Sequence, residues 1–289
     1  MPIAALPDSI AVIVLGLLSA FSWGLADFGG GLTSRRAPVA GVLLTTQVAG
    51  ALLSTGLAIV LGEALPSMSD VGWALASSLF GGIGLACLYI GLARGRMGVV
   101  APVTGVLVAA IPAVAGILLE GTLPTAVLVG IALAISSVLV VSRVGGGDDG
   151  SPSGLWWGVA GGVTLGVVTI TLSRMTPGLV YGPLTIMRIG EAVLVSVFVV
   201  SRRPSWRVPA RLWPAILGIG TFDMLGTGFY IAATQSGPLA IAGVLSALYP
   251  VTTVVLAVTI LRERLARWHV LGIAIAIIAI VLITTGSAG

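Results

Sequence analysis

Ten apolar runs, each about twenty residues long, follow one another with only short polar breaks, at 10–29, 39–62, 71–93, 98–119, 124–142, 154–173, 179–200, 212–235, 238–261 and 268–286. A helix needs about 20 apolar residues to cross roughly 30 Å of hydrocarbon, so every run is a candidate membrane span. Backbone polar groups have no water to bond in that medium, and a segment that satisfies them internally is a helix. The reading is therefore an all-α, polytopic membrane protein with ten transmembrane helices. Composition agrees: 57% of the 289 residues are hydrophobic and only 8% are charged, against about 25% in a soluble domain. The breaks carry turn and interface chemistry, as in "SRRAP", "ARGRMG", "SRRPSWRVPAR" and "LRERLARW". The first residues, "MPIAALPDSI", have no basic residue ahead of the apolar run and do not read as a cleavable signal.

The most polar linker, "VGGGDDGSPSG", divides the runs into five and five. The two sets look alike. Gly16, Ala20 and Gly24 precede Gly158, Gly162 and Gly166 by 142 positions, and their four-residue spacing gives each helix one smooth face for close packing. "YIGLA" from Tyr89 matches "YIAAT" from Tyr230, "GVLVAAIP" ending at Pro112 matches "GVLSALYP" ending at Pro250, and "GIALAI" from Gly130 matches "GIAIAI" from Gly272, with offsets between 138 and 142. Five spans per repeat is an odd number, so the second copy enters the membrane inverted. Charge follows that geometry. Twelve of the fourteen basic residues, all arginines, fall in alternate loops on one side: Arg35, Arg36, Arg94, Arg96, Arg143, Arg202, Arg203, Arg207, Arg211, Arg262, Arg264 and Arg267. The other side has Arg174 with Asp8, Glu63, Asp70 and Glu120. By the positive-inside rule both termini lie outside a cell membrane that the chain crosses many times. Inverted repeats of this kind enclose substrate sites in secondary transporters. The division is 1–143, a linker at 144–153, and 154–289.

The order and duplication of these segments resemble the drug/metabolite transporter superfamily, specifically its ten-helix EamA-type members. The segments most like the family are "SAFSWGLADFGGGLTSRR" from Ser19, "SGPLAIAGVLSALYPVTTVVLAVTILRERLARWHVLGIAIAII" from Ser236, and "GVVAPVTGVLVAAIP" in the first half. The resemblance makes each half an EamA-like repeat. It implies alternating-access transport, often outward, of small metabolites ranging from amino acids to amphipathic compounds. Related four-helix exporters carry an acid in the middle of their first helix. Here the middle reads "GLLSAFSWG", and Asp27 comes near the end of the run, before "FGGG". Asp27 is accordingly expected to cap the helix or meet Arg35 and Arg36 at the interface.

Candidate functional residues are those the bilayer tolerates least. Arg188 and Glu191 stand mid-run, where each costs about 2.5–3.5 kcal/mol if it faces lipid. Three residues apart on a helix, they can reach each other. They read either as a self-satisfied pair facing the bundle or as an anchor, the guanidinium fork taking a substrate carboxylate or phosphate. Their counterparts in the first half are Gln47 and Gly50. Asp223, whose counterpart is Gly82, has no basic neighbour in sequence. Either Asp223 or Glu191 reads as the proton carrier, the alternative being that Asp223 is a structural tie to Arg188. Trp23, Tyr89, Tyr230 and Tyr249 combine an apolar body with a polar tip, suited either to packing or to a cavity for amphipathic solutes. Pro102, Pro112 and Pro250 interrupt backbone bonding within spans and are hinge candidates. A lone histidine, His269, and a lone cysteine, Cys87, support neither a metal cluster nor a disulfide. The "GGG" tracts lack the Lys-Ser/Thr of a phosphate loop, so ATP-driven transport is unsupported.

The function expected is a secondary active or facilitative transporter exporting a small metabolite, such as an amino acid or related amphipathic compound. Its partners are a small-molecule substrate, the lipid bilayer and, as candidate coupling ion, the proton. No nucleic acid, metal or cofactor is expected, and the oligomeric state is open. The alternatives are a flippase for lipids or lipid-linked headgroups and, remotely, a membrane-embedded enzyme.

Overall fold

A computed structural model describes residues 8–95, 97–120, 124–142 and 153–261, with short helical pieces between 267 and 282. The described helices are α1 (Asp8–Ser34), α2 (Val39–Leu61), α3 (Met68–Arg94), α4 (Met97–Glu120), α5 (Thr125–Ser142), α6 (Ser153–Leu172), α7 (Tyr181–Arg202), α8 (Trp213–Ser236), α9 (Leu239–Ser246) and α10 (Tyr249–Leu261). Six helical stretches among the described residues are long and apolar enough to cross a bilayer: Ser9–Ser34, Val39–Leu61, Met68–Arg94, Tyr181–Arg202, Ala210–Ser236 and Leu239–Ile260. Shorter apolar helical stretches occupy Val103–Gly116, Thr125–Ser137 and Trp156–Leu172. Most of the run 268–286 and of the linker 144–153 lies outside the described residues, as do His269, Arg262 and Arg264.

Helix ends follow local chemistry. Pro38 precedes the first turn of α2, and Gly62, with a left-handed φ of 64°, closes its last. Ser67 and Asp70 form a reciprocal capping box at the start of α3. Two departures from the sequence reading matter for the site. The first run does not stop at residue 29; α1 continues to Ser34. The "FGGG" segment is a set of close approaches, not a turn. A Cβ at Gly30 would overlap the Tyr89 ring, and one at Gly31 would lie 2.9 Å from Leu92 Cβ and Met97 Cε. The second departure is the run 238–261, which reads as one span and is broken into α9 and α10 at Ala247–Leu248. Pro250 explains the break. It has no N–H for the carbonyl four residues back, and its ring crowds that carbonyl. The chain passes through the break in tighter turns, Leu248 N–H to Leu245 O at 3.2 Å and Val251 N–H to Leu248 O at 3.0 Å. Pro102 and Pro112, by contrast, lie within an uninterrupted α4.

The packing is inside-out relative to a soluble protein. On α7, Ile189, Val193, Val197 and Val200 are exposed, whereas Arg188 and Glu191 are buried. Apolar side chains face the hydrocarbon and the ionic ones face other helices. Helix α1 packs on α8, α9 and α10; α6 packs on α3 and α4; α2 packs on α7 and α8; and α7 also packs on α3. All these contacts cross from one half of the sequence to the other. The ionic residues sit where they converge.

Candidate functional site

Arg188 is the centre of the site and is 1% exposed. Its Nη1 donates to Glu191 Oε2 at 3.1 Å and to Gln47 Oε1 at 2.8 Å, and it pairs with Asp223 Oδ2 at 2.7 Å. Its Nη2 donates to Thr227 Oγ1 at 2.7 Å and to the Asp223 carbonyl at 3.2 Å. Four elements of the sequence bring these groups together. Arg188 and Glu191 share one face of α7, and Asp223 and Thr227 are one turn apart on α8, with the Thr227 hydroxyl also donating to the Asp223 carbonyl at 2.9 Å. Gln47 comes from α2, where Gly50 leaves room for the arginine stem, its absent Cβ lying 3.5 Å from Arg188 Cδ. On α3, Gly81 makes room for Glu191, whose Oε1 occupies the space a Cβ would take. Guanidinium planarity suits this work because its donors are fixed in a fork while the acceptors come from three directions.

A cavity of about 50 Å³ adjoins the network. Its wall includes Trp23, Asp27, Gly81, Leu85, Met187, Arg188, Glu191, Asp223, Thr227 and Tyr249. That is room for a few waters or one small headgroup. Among the described residues, Arg188 Nε, Glu191 Oε1 and the Tyr249 hydroxyl are buried without a hydrogen-bond partner. A buried polar group left so is costly, and in a native site it points to function or to a bound species. The charges are unbalanced: one guanidinium faces the carboxyl groups of Glu191 and Asp223, with Asp27 a third on the same wall.

The structure distributes the other sequence candidates as follows. Trp23 lines the cavity, stacks on Tyr230 with ring centroids 5.6 Å apart, and donates from Nε1 to Thr227 Oγ1 at 3.3 Å. Tyr230 itself stands behind Trp23, its hydroxyl donating to the Thr169 carbonyl at 2.9 Å. Tyr89 is buried against Gly30, outside the cavity wall. Tyr249 follows the break between α9 and α10 and reaches the cavity. Pro112 packs on Gly243 and Pro250 on Gly105, while the side chain of Pro102 is outside what is described. Both ion pairs weighed from the sequence, Arg188 with Glu191 and Arg188 with Asp223, are formed at once.

Asp27 corrects the sequence reading. It does not meet Arg35 or Arg36; it is 6% exposed and faces the cavity. The physical reason is the length of α1, which places Asp27 two turns inside the helix. Its only legible signal was the four-residue spacing from Trp23, which puts both on one face. Thr227 likewise escaped notice, although it stands four residues from Asp223.

Residues 152–285 match the model of the EamA-like transporter family. Over those residues, a little under half of the chain, it is similar to transporters of the drug/metabolite superfamily. Members of the EamA-like family are membrane transporters, and the matched region of this chain lies on α6 to α10 and the residues beyond them. Fold likeness extends further. A solved structure described only as "Crystal structure of protein" superposes over 94% of this chain and 95% of its own, with a TM-score of 0.72 at 18% identity. At that identity the likeness concerns fold alone. No curated relative matches the sequence.

Proposed function

We propose that this chain is a secondary transporter that moves a small metabolite, such as an amino acid or related amphipathic compound, outward by alternating access with protons as coupling ion. One observation carries the proposal: a fully buried guanidinium held between two carboxyl groups beside a small cavity, with a third carboxyl on its wall. Isolated charge is expensive in a low-dielectric interior. With Glu191, Asp223 and Asp27 against Arg188 alone, neutrality calls for protons or a cation in the cavity. A group that gains such charge in one conformation and yields it in another is what coupling requires. The cavity volume fits an occluded conformation that widens when either face opens.

The proposal takes 1–143 and 154–289 as inverted five-helix repeats, with the run 268–286 as the tenth span and both termini on the face away from the arginines. What supports this is reciprocity in the packing. As α1 packs on α8, so α6 packs on α3; as α1 packs on α9 and α10, so α6 packs on α4; as α2 packs on α8, so α7 packs on α3. The residues correspond as well: Pro112 meets Gly243 as Pro250 meets Gly105, and Arg188 bonds Gln47, its own counterpart. Two such bundles can rock about the site they share.

Proteoliposomes with an imposed pH gradient test the reading. The expected result is saturable counterflow of one metabolite class, gradient-driven in the wild type and gradient-independent in Asp223→Asn. Undiminished gradient-driven transport in both Asp223→Asn and Glu191→Gln eliminates the proton role. Movement of a labelled phospholipid with no counterflow of any soluble metabolite replaces metabolite export with the flippase reading.

A further inference from the structure

The cavity has a second polar end that the Arg188 network does not use. Asp27 lies on its wall, 6% exposed, and forms no hydrogen bond or ion pair with any described residue. The Tyr249 hydroxyl, on the same wall, is buried and also without a partner. One turn before Asp27, on the same face of α1, Trp23 completes the group, its indole fixed by stacking on Tyr230. Close packing brings the three together from two elements. A Cβ at Gly24 would collide with Thr252 Cβ and lie 2.7 Å from the Tyr249 carbonyl, so α1 touches the start of α10 there.

We infer that Asp27, Tyr249 and Trp23 form a receptor for a protonated primary amine, and hence that the solute carried through the cavity bears one. Each group supplies what an ammonium needs. The carboxylate offers charge and two acceptor oxygens, the phenol oxygen offers another acceptor, and the indole face attracts cations through its quadrupole. An anionic solute finds a single free donor there, Arg188 Nε. Both terminal nitrogens of Arg188 are already engaged by Gln47, Glu191, Asp223 and Thr227, so an anion seeking a second donor has to displace a carboxylate and then face Asp27. A divalent metal suits the set less, since calcium takes six to eight oxygen ligands and no group of three or more ligating His, Cys, Asp or Glu exists among the described residues. The volume of about 50 Å³ accommodates an ammonium headgroup, with the body of the solute admitted when the bundle opens.

The identification of a carried solute rests on the transport reading, whereas the amine receptor is tested by binding alone. Protein in nanodiscs is titrated calorimetrically near neutral pH with butylamine, α-aminobutyrate and butyrate, which share one carbon skeleton. The two amine-bearing probes are expected to bind and butyrate is not. Loss of a charge-assisted contact in Asp27→Asn weakens amine binding by about tenfold or more, and Tyr249→Phe by about threefold. Asp27→Glu keeps the charge and retains binding, and unchanged melting temperatures show that the variants are folded. If neither amine binds the wild type, if butyrate binds as tightly as butylamine, or if Asp27→Asn binds amines like the wild type, the inference is overturned. Counterflow in proteoliposomes separates the two readings. Amine binding that depends on Asp27, with no transport of any probe, defeats transport and leaves the receptor standing; transport unaffected by Asp27→Asn does the reverse.

Discussion

Arg188 holds a position where its loss is worse than its presence. The side chain satisfies two carboxylates, and Arg188→Gln leaves both in a buried site without a counter-charge. Breaking a buried pair by removing one partner costs roughly 3–5 kcal/mol, whereas removing the whole set is often neutral. Arg188→Gln is therefore expected to lower the melting temperature in detergent sharply and to abolish transport. The triple variant Arg188→Gln, Glu191→Gln, Asp223→Asn is expected to recover most of the melting temperature while remaining inactive. If the triple variant melts as low as the single one, charge balance is not what the arginine supplies. Arg188, Glu191 and Asp223 are legible in the sequence because a charge within an apolar run stands out against its neighbours. Asp27 is not, because three consecutive glycines after it look like a helix end and only the partners Ile219, Tyr89 and Leu92, distant in sequence, reveal them as contact points.

At the scale of elements, most helices agree with the apolar runs to within three residues because span length is set by the bilayer. Hydropathy is blind to what happens inside a run. It shows 238–261 as continuous, whereas the backbone breaks before Pro250 and stays helical through Pro112. The difference lies in which carbonyls each neighbourhood can re-satisfy, which no single-sequence pattern encodes. Restoring the missing donor should mend the break: Pro250→Ala is expected to slow hydrogen exchange at Leu248 to Val251, and Pro112→Ala to leave exchange in α4 little changed. Equal effects of the two substitutions would mean that the proline does not cause the break. Small residues give a second prediction. Gly24→Val inserts methyl groups where the Thr252 side chain and the Tyr249 backbone already stand, while Gly56 has nothing within 4 Å of a Cβ position. Overpacking of this kind costs about 1–3 kcal/mol or more, so Gly24→Val should reduce the melting temperature and activity, with Gly56→Val behaving as wild type in the same assays.

For the molecule as a whole, the alternating-access proposal requires that something hold one face shut. On the arginine-poor face, the segment after α2 is clasped to the segment before α7. Glu63 accepts from the backbone N–H groups of Val180, Tyr181 and Gly182 at 2.8–3.2 Å, a carboxylate placed at a helix N-terminus where the partial positive charge is greatest. Beside it, Asp70 accepts from Thr176 N at 2.8 Å and Thr176 Oγ1 at 3.0 Å. Both contacts join the two halves of the chain, and one turn beneath them Thr185 Oγ1 donates to Ser54 Oγ at 2.9 Å, on the way to Arg188. Opening on that face has to break this clasp. Capping interactions of this type contribute about 0.5–2 kcal/mol, so Glu63→Ala should raise the population open on that face by about 2- to 30-fold. Ser54, buried in the clasped state, reports it directly. In a background with Cys87→Ser, a Ser54→Cys thiol should react with a membrane-impermeant maleimide faster by that factor when Glu63→Ala is added. The acceleration should appear only when reagent is supplied from the arginine-poor face. An unchanged rate would mean that the clasp braces a static loop, and reaction from the other face would place the gate at the opposite end, where a Cβ on Gly41 would overlap the Trp206 carbonyl.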